Sequence, residues 1–230
     1  MDGRHFDGAL PRRFSYRQQR RSRTSPSACE LRFGVNSVTG ECFDIGGATR
    51  AALRAFELYG TVENNEAEHL QANGSIMRLS PVVLCATSRD QACALALAQG
   101  RTTHAAPVPQ KCCELLAGFL WDIVETGVLP QSVKAKDDRA RSDVVSTGHA
   151  PATIDAACWS VATTTDFKSA VLAAANLGDD ADTVGAVTGQ LAGALYGLSR
   201  IPPDWLEKLA WLDDIQRRGE DLWRLRGLAA

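Results

Sequence analysis

Several broad classes are excluded by what this 230-residue chain does not contain. No apolar run reaches the roughly 20 residues that a membrane-spanning helix needs, and no signal-peptide core is present. The seven cysteines are odd in number and show no C-x-x-C pair and no Cys/His ligand spacing. Cys112 and Cys113 are adjacent, which suits neither a disulfide framework nor zinc and predicts reduced thiols in a cytoplasmic protein. Lysine and arginine together fall two short of aspartate and glutamate, giving a net charge of −2. That balance argues against a chain devoted to nucleic acid or to an anionic membrane. Strand-type alternation is scarce, so helical periodicity must carry the fold.

With 45% hydrophobic residues, the chain can bury one sizeable core. The expected architecture is all-α and single-domain. Residues 1–27 stand apart: Arg4, Arg12, Arg13, Arg17, Arg20, Arg21 and Arg23 crowd together with Ser and Gln, without a periodic apolar face. Such a segment cannot build a core, and disorder is the expectation, with a transit peptide or a basic arm as alternatives. Residues 28–230 read as the globular domain.

Along that domain, a helix is predicted over Ala48–Tyr59, with Ala52, Leu53, Phe56 and Tyr59 on one face and Gly60 as the stop. Asn64–Gln71 is polar and reads as a surface excursion. Asp90–Gln99 reads as a helix capped by Asp90 and ended by Gly100. Val108–Val124 is a further helix, and Gln131–Asp143 an exposed connection. Ile154, Cys158 and Val161 form a stripe, and Asp166 is placed to cap the helix that leads to Asn176. A terminal helix is predicted from Asp204, with Leu209, Leu212 and Ile215 on its face and Trp205 and Trp211 in the core.

The most informative stretch is Asn176–Gly197, NLGDDADTVGAVTGQLAGALYG. Asp180 and Asp182 stand two apart at the start of a small-residue helix. Short carboxylates at that spacing can converge on a hard cation such as Mg²⁺. An aspartate at a helix start is more often an N-cap, so both roles stand open on spacing alone. Gly185, Gly189, Gly193 and Gly197 recur every fourth residue on one stripe. Each glycine costs a helix about 1 kcal/mol against alanine, so the stripe predicts close backbone approach by a neighbouring helix. A second candidate is the loop Asn73-Gly74-Ser75-Ile76-Met77-Arg78, where Gly74 lets the backbone approach a ligand and successive N–H groups can cradle an anion.

Taken whole, the string Gly178, Asp180, Asp182, Thr183, Gly185, Gly189, Gly193, Tyr196 and Gly197 resembles the C-terminal signature of the ADP-ribosylglycohydrolase family, which includes the dinitrogenase reductase-activating glycohydrolases. Thr39–Glu57, with Asp44-Ile45-Gly46 and a Thr-Arg helix, resembles a second family block, and the loop containing Asn73 a third. The resemblance covers about Leu31–Ile215 and implies an orthogonal helical bundle around a central metal cleft. It implies hydrolysis of the bond joining ADP-ribose to a protein side chain such as arginine. A binuclear Mg²⁺ centre is implied, with Asp180, Asp182 and Thr183 as ligands and Asp180 and Asp182 as the catalytic carboxylates.

The same resemblance implies that Asn73, Gly74, Ser75, Met77 and Arg78 cradle the diphosphate. It places His104 near the bound nucleotide or the reaction centre, and Gly148 beside the adenosine-side ribose. The implied partner is an ADP-ribosylated protein or an ADP-ribose-containing small molecule, with no nucleic acid, no membrane and a monomeric chain. The family's opening Gly-Asp-Ala-x-Gly and Thr-Asp-Asp elements do not occur in this sequence. Only one half of the ligand set is evident, which predicts lost or reduced turnover. A non-catalytic ADP-ribose-binding module and an inactive structural relative are the two alternatives.

Overall fold

The computed structural model describes residues 37–42, 44–60, 67 and 69–228. The Arg-rich segment over residues 1–27 and residues 64–66 and 68 of the polar excursion lie outside them. The chain divides into two compact units, Met1–Asp44 and Ile45–Ala230. Of the first, the described part is a turn in which the Gly40 amide donates to the Ser37 carbonyl at 3.1 Å.

The second unit is helical, as periodicity predicts. Its α-helices are α1 (Gly47–Tyr59), α2 (Ser80–Leu84), α3 (Arg89–Arg101), α4 (Pro107–Thr126), α5 (Gln131–Lys134), α6 (Ala150–Ala162), α7 (Phe167–Ala175), α8 (Ala181–Tyr196), α9 (Pro203–Leu206) and α10 (Leu212–Leu228). Among the described residues no strand forms; one isolated antiparallel bridge joins Ala72 to His149. The 20-residue α4 opens with Pro107, whose missing N–H costs nothing in a first turn. It packs against α3 and α8, while α8 packs against α7 and α6. Leu116, Leu120 and Ile123 of α4 share one buried cluster with Ile154 and Val161 of α6 and Val187 and Leu191 of α8. Each such side chain contributes about 1.5–3 kcal/mol through removal of apolar surface from water.

Local signals are well obeyed in several places. Gly60, at φ 70°, ends α1 in the left-handed conformation. Asp166 caps α7, its Oδ1 accepting from the Ser169 amide at 2.9 Å. The Ile154, Cys158 and Val161 stripe is buried, and Trp205 packs edge-on to Phe167.

Other expectations are corrected. The cap of α3 is Ser88, whose Oγ accepts from the Gln91 amide at 3.2 Å, and Asp90 sits within the first turn. Gly100 does not end that helix. It lies inside it, where a Cβ would stand 2.7 Å from Nε2 of Gln110 and 3.0 Å from Sγ of Cys113. The close approach expected of the α8 stripe therefore falls here. Among the described residues nothing comes within 4 Å of where a Cβ would stand at Gly185, Gly189 or Gly193. Gly189 and Gly193 instead floor a groove of about 250 Å³ walled by Val83, Leu84 and Leu120.

The connection after α4 contains a short helix, α5, whose Val133 is fully buried. The terminal segment is broken in two. Asp204 makes no cap bond in the short α9, and the chain turns at Trp211, φ 60°, before α10 begins. Trp211 is 53% exposed and so is not a core residue, while Phe56 and Tyr59 on the expected inner face of α1 are also exposed.

Candidate active site

Two successive left-handed residues, Gly178 (φ 80°) and Asp179 (φ 52°), shape the turn before α8. Glycine takes that conformation without penalty, and aspartate is among the few side chains that tolerate it. The buried Ser146 hydroxyl donates to the Gly178 carbonyl at 2.8 Å and anchors the turn. Asp180 is thereby delivered to the N-cap position of α8. A capping carboxylate accepts from free N–H groups of the first turn, but the Asp180 side chain makes no such bond.

Its oxygens are directed elsewhere. Oδ2 accepts from Nδ2 of Asn73 at 2.5 Å, and Oδ1 accepts from the Thr183 hydroxyl at 3.3 Å. Asp182 is exposed, one oxygen accepting from the Thr183 amide at 2.8 Å. Among the described residues no lysine, arginine or histidine pairs with either carboxylate; the ion pairs run elsewhere, such as Asp155 with Lys136 and Arg139. Two carboxylates and a hydroxyl form a hard-oxygen donor set, which suits Mg²⁺ with water completing its shell. Among the described residues no group of three or more His, Cys, Asp or Glu is gathered to hold a metal ion. The donors fit one side of a hard-cation site.

The loop from Asn73 to Ser80 adjoins this turn through the bond from Asn73 to Asp180. It is tied to the start of α6 by the Asn73 amide donating to the Gly148 carbonyl at 3.1 Å and the Ala150 amide to the Gln71 carbonyl at 2.9 Å. It is tied to α8 by Gln190, whose Nε2 donates to the carbonyls of Ile76 and Met77 at 3.0 and 3.1 Å. The Gln190 Oε1 also accepts from the Ser80 amide at 2.7 Å. Arg78 folds back on the loop, donating to the Gly74 carbonyl at 2.8 Å and to the Thr103 hydroxyl at 2.6 Å. Partial burial lowers its pKa from the ordinary value, and the guanidinium stays charged.

His104 is 3% exposed and lies directly beneath Gly74. A Cβ at position 74 would stand 2.8 Å from the imidazole Cε1, so only glycine fits there without displacement. Nδ1 of His104 shares a hydrogen bond with the Thr103 hydroxyl at 2.7 Å. Burial, with a smaller contribution from Arg78, lowers the His104 pKa to about 4.

The structure thus gathers Asn73, Gly74, Arg78, His104, Gly148, Asp180, Asp182 and Thr183 into one region. Ser75 is fully buried, its carbonyl accepting from Gln99 and its hydroxyl from the Cys113 thiol, whereas Met77 is exposed. Asp44 belongs to the first unit. Sequence reading missed Ser146, Thr153 and Gln190. Only Gln190 carried a signal, as the one long polar side chain within a small and apolar helix.

A sequence model of the ADP-ribosylglycohydrolase family matches residues 3–229. The chain belongs to that family. It is 39% identical over 210 residues to the ADP-ribosylarginine hydrolase Tri1 of Pseudomonas putida (strain GB-1), a match covering 84% of this chain. The corresponding protein of Serratia proteamaculans (strain 568) is 37% identical over 212 residues. The chain spans 57% of the length of each of these relatives. An ADP-ribosyl-[dinitrogen reductase] glycohydrolase of Rhodospirillum rubrum is 29% identical over 201 residues, covering 80% of this chain and 67% of that protein. A solved structure described as an ADP-ribosylglycohydrolase-related protein complex superposes with a TM-score of 0.67 at 34% identity. That match covers 79% of this chain and 69% of the other. The family's all-α fold agrees with the helical architecture expected.

Proposed function

We propose that the chain is a hydrolase that removes ADP-ribose from modified arginine side chains of proteins. The observation that carries the reading is the Asp180 carboxylate. It occupies a helix N-cap position yet caps nothing, and a neutral amide and a hydroxyl hold it with no cation paired to it among the described residues. A structural cap would spend those oxygens on the helix. The kinship with ADP-ribosylarginine hydrolases supports arginine as the modified side chain.

Mg²⁺ held by Asp180, Asp182 and Thr183, as half of a binuclear site, would supply a polarised water and a grip on the ribose hydroxyls. The chain's own residues do the rest. Breaking the bond to arginine builds positive charge on the anomeric carbon, which the two carboxylates favour electrostatically. The backbone around Gly74 offers a surface that a diphosphate can approach closely, with the Arg78 cation beside it. His104 supports that backbone from beneath, and its weak basicity makes it a poor general base. The six cysteines among the described residues carry free thiols, which supports a reducing, cytoplasmic setting. No described helix is long and apolar enough to cross a membrane.

The test is release of ADP-ribose from an ADP-ribosyl-arginine peptide, with Mg²⁺, with chelator, and with Asp182→Ala. Release that needs both Mg²⁺ and Asp182 supports the hydrolase. Tight binding of ADP-ribose without release would replace it with a binding module whose acidic corner does not complete the site. Neither release nor binding would leave a structural relative.

A further inference from the structure

We infer that Thr153 and Asn73 act as a positioning pair that sets the orientation of the Asp180 carboxylate. Nδ2 of Asn73 has two hydrogens, and both are spent within the protein. One goes to Oδ2 of Asp180 at 2.5 Å and the other to Oγ1 of Thr153 at 2.8 Å. A carboxylate only accepts, so the Asn73 amide must face it with its nitrogen, and the flip of the side chain is determined. Thr153 accepts from Asn73, and its hydroxyl lies 3.1 Å from the Thr147 carbonyl and 3.2 Å from that of His149. The direction of donation is therefore set along the chain, from Thr153 into the backbone at the start of α6 and from Asn73 into both Thr153 and Asp180.

Burial makes this relay stiff. Thr153 is fully buried and Asn73 is 8% exposed, so water competes poorly for either. The backbone of Asn73 is pinned at the same place, because its amide donates to the Gly148 carbonyl. A hydrogen bond to an ionised acceptor is stronger than a neutral one, and here it comes from an uncharged donor. Asp180 is oriented by Asn73 with no lysine or arginine paired to it among the described residues to offset its charge. Oδ1, which accepts only a long 3.3 Å bond from Thr183, is the oxygen left to face an incoming group. Asn73 is thus committed to protein contacts through its nitrogen, and its role is to aim Asp180. The inference rests on the hydrolase reading for its purpose and on geometry alone for its existence.

The experiment compares the full wild-type chain with Thr153→Val, Thr153→Ser and Asp180→Asn. Hydrogen exchange of the Asn73 side-chain amide is followed by NMR without metal, and Mg²⁺ is titrated by calorimetry. Slow exchange is expected in the wild type, with about tenfold acceleration in Thr153→Val and in Asp180→Asn, since each removes one acceptor or weakens it. Outer-shell partners of metal ligands typically change affinity about 10–100-fold, so Thr153→Val should weaken Mg²⁺ binding by that factor. Thr153→Ser, which keeps the hydroxyl, should restore both properties.

Unprotected Asn73 protons in the wild type would overturn the pair. So would faster exchange in Thr153→Val with unchanged Mg²⁺ affinity, because the link would then position nothing. If Thr153→Val does not fold, Asp180→Asn decides alone, and unchanged exchange there would sink the link to Asp180. A wild-type chain that binds no Mg²⁺ would overturn the metal assignment of the proposed function. The exchange data would still decide whether Thr153 and Asn73 hold Asp180.

Discussion

Acid should destabilise this protein through His104 in a way that one substitution removes. The imidazole lies beneath Gly74 with 3% exposure, and burial, aided by the Arg78 cation, lowers its pKa from 6.5 to about 4. Because the native value lies below the unfolded one, the unfolded chain takes up the extra proton first as the pH falls. The stabilising contribution is complete above about pH 6.5, declines between about 6.5 and 4, and is spent below. A shift of that size is worth about 3 kcal/mol, at a maximum slope of about 1.4 kcal/mol per pH unit. Urea unfolding followed by tryptophan fluorescence, in half-unit steps from pH 7.5 to 4, measures the slope. His104→Asn preserves a polar contact to Thr103 but does not titrate in that range. Subtracting its profile from that of the wild type cancels carboxylates and the other histidines. A difference that stays flat between pH 6.5 and 4 would refute the burial argument.

Three further outcomes follow from the same geometry. Gly74→Ala would bring a Cβ within 2.8 Å of the His104 ring. Overpacking of that kind costs about 1–3 kcal/mol, or roughly 2–4 °C in Tm per kcal/mol for a domain of this size. His104→Ala in the same chain should recover part of the loss, and strict additivity in a thermal-unfolding cycle would deny the contact. Gln190→Leu strands the Ser80 amide and removes the donor to Ile76 and Met77. It should cost about 2 kcal/mol in urea unfolding and accelerate hydrogen exchange at Ser80, whereas an unchanged midpoint would mean that the loop does not depend on α8. Gly189→Ala should stabilise α8 by about 1 kcal/mol, since open space faces the position. A loss of stability there would mean that the glycine stripe is covered after all.

Much of the fold was legible in the order of residues. The helix expected over Val108–Val124, the stop at Gly60 and the Asp166 cap are encoded within a few positions of where they act. Such signals depend on φ/ψ preference and on hydrogen bonds to near neighbours, which travel with the local sequence. The acidic turn was legible too, because Asp180, Asp182 and Thr183 are neighbours in a compact and specific string. Ser88 took the cap from Asp90 because its hydroxyl stands one residue before the helix, where the extended backbone lets it reach the Gln91 amide.

Tertiary structure alone decided which partners Asn73 and Gln190 take. The bonds from Asn73 to Thr153 and Asp180 close over 80 and 107 residues, and that from Gln190 to Ile76 over 114. No spacing rule reaches so far, since a buried amide or hydroxyl takes whatever partner packing brings within 3 Å. Glycine shows the same division. The repeat on α8 predicted close approach, yet the tight contacts fall at Gly74, Gly100 and Gly118, where a side chain of another segment crosses. Sequence by itself determined a helical chain with an acidic corner at the start of α8. Packing determined that this corner is aimed by Asn73 rather than spent as a cap, because the direction of a carboxylate is set by the donors that burial leaves around it.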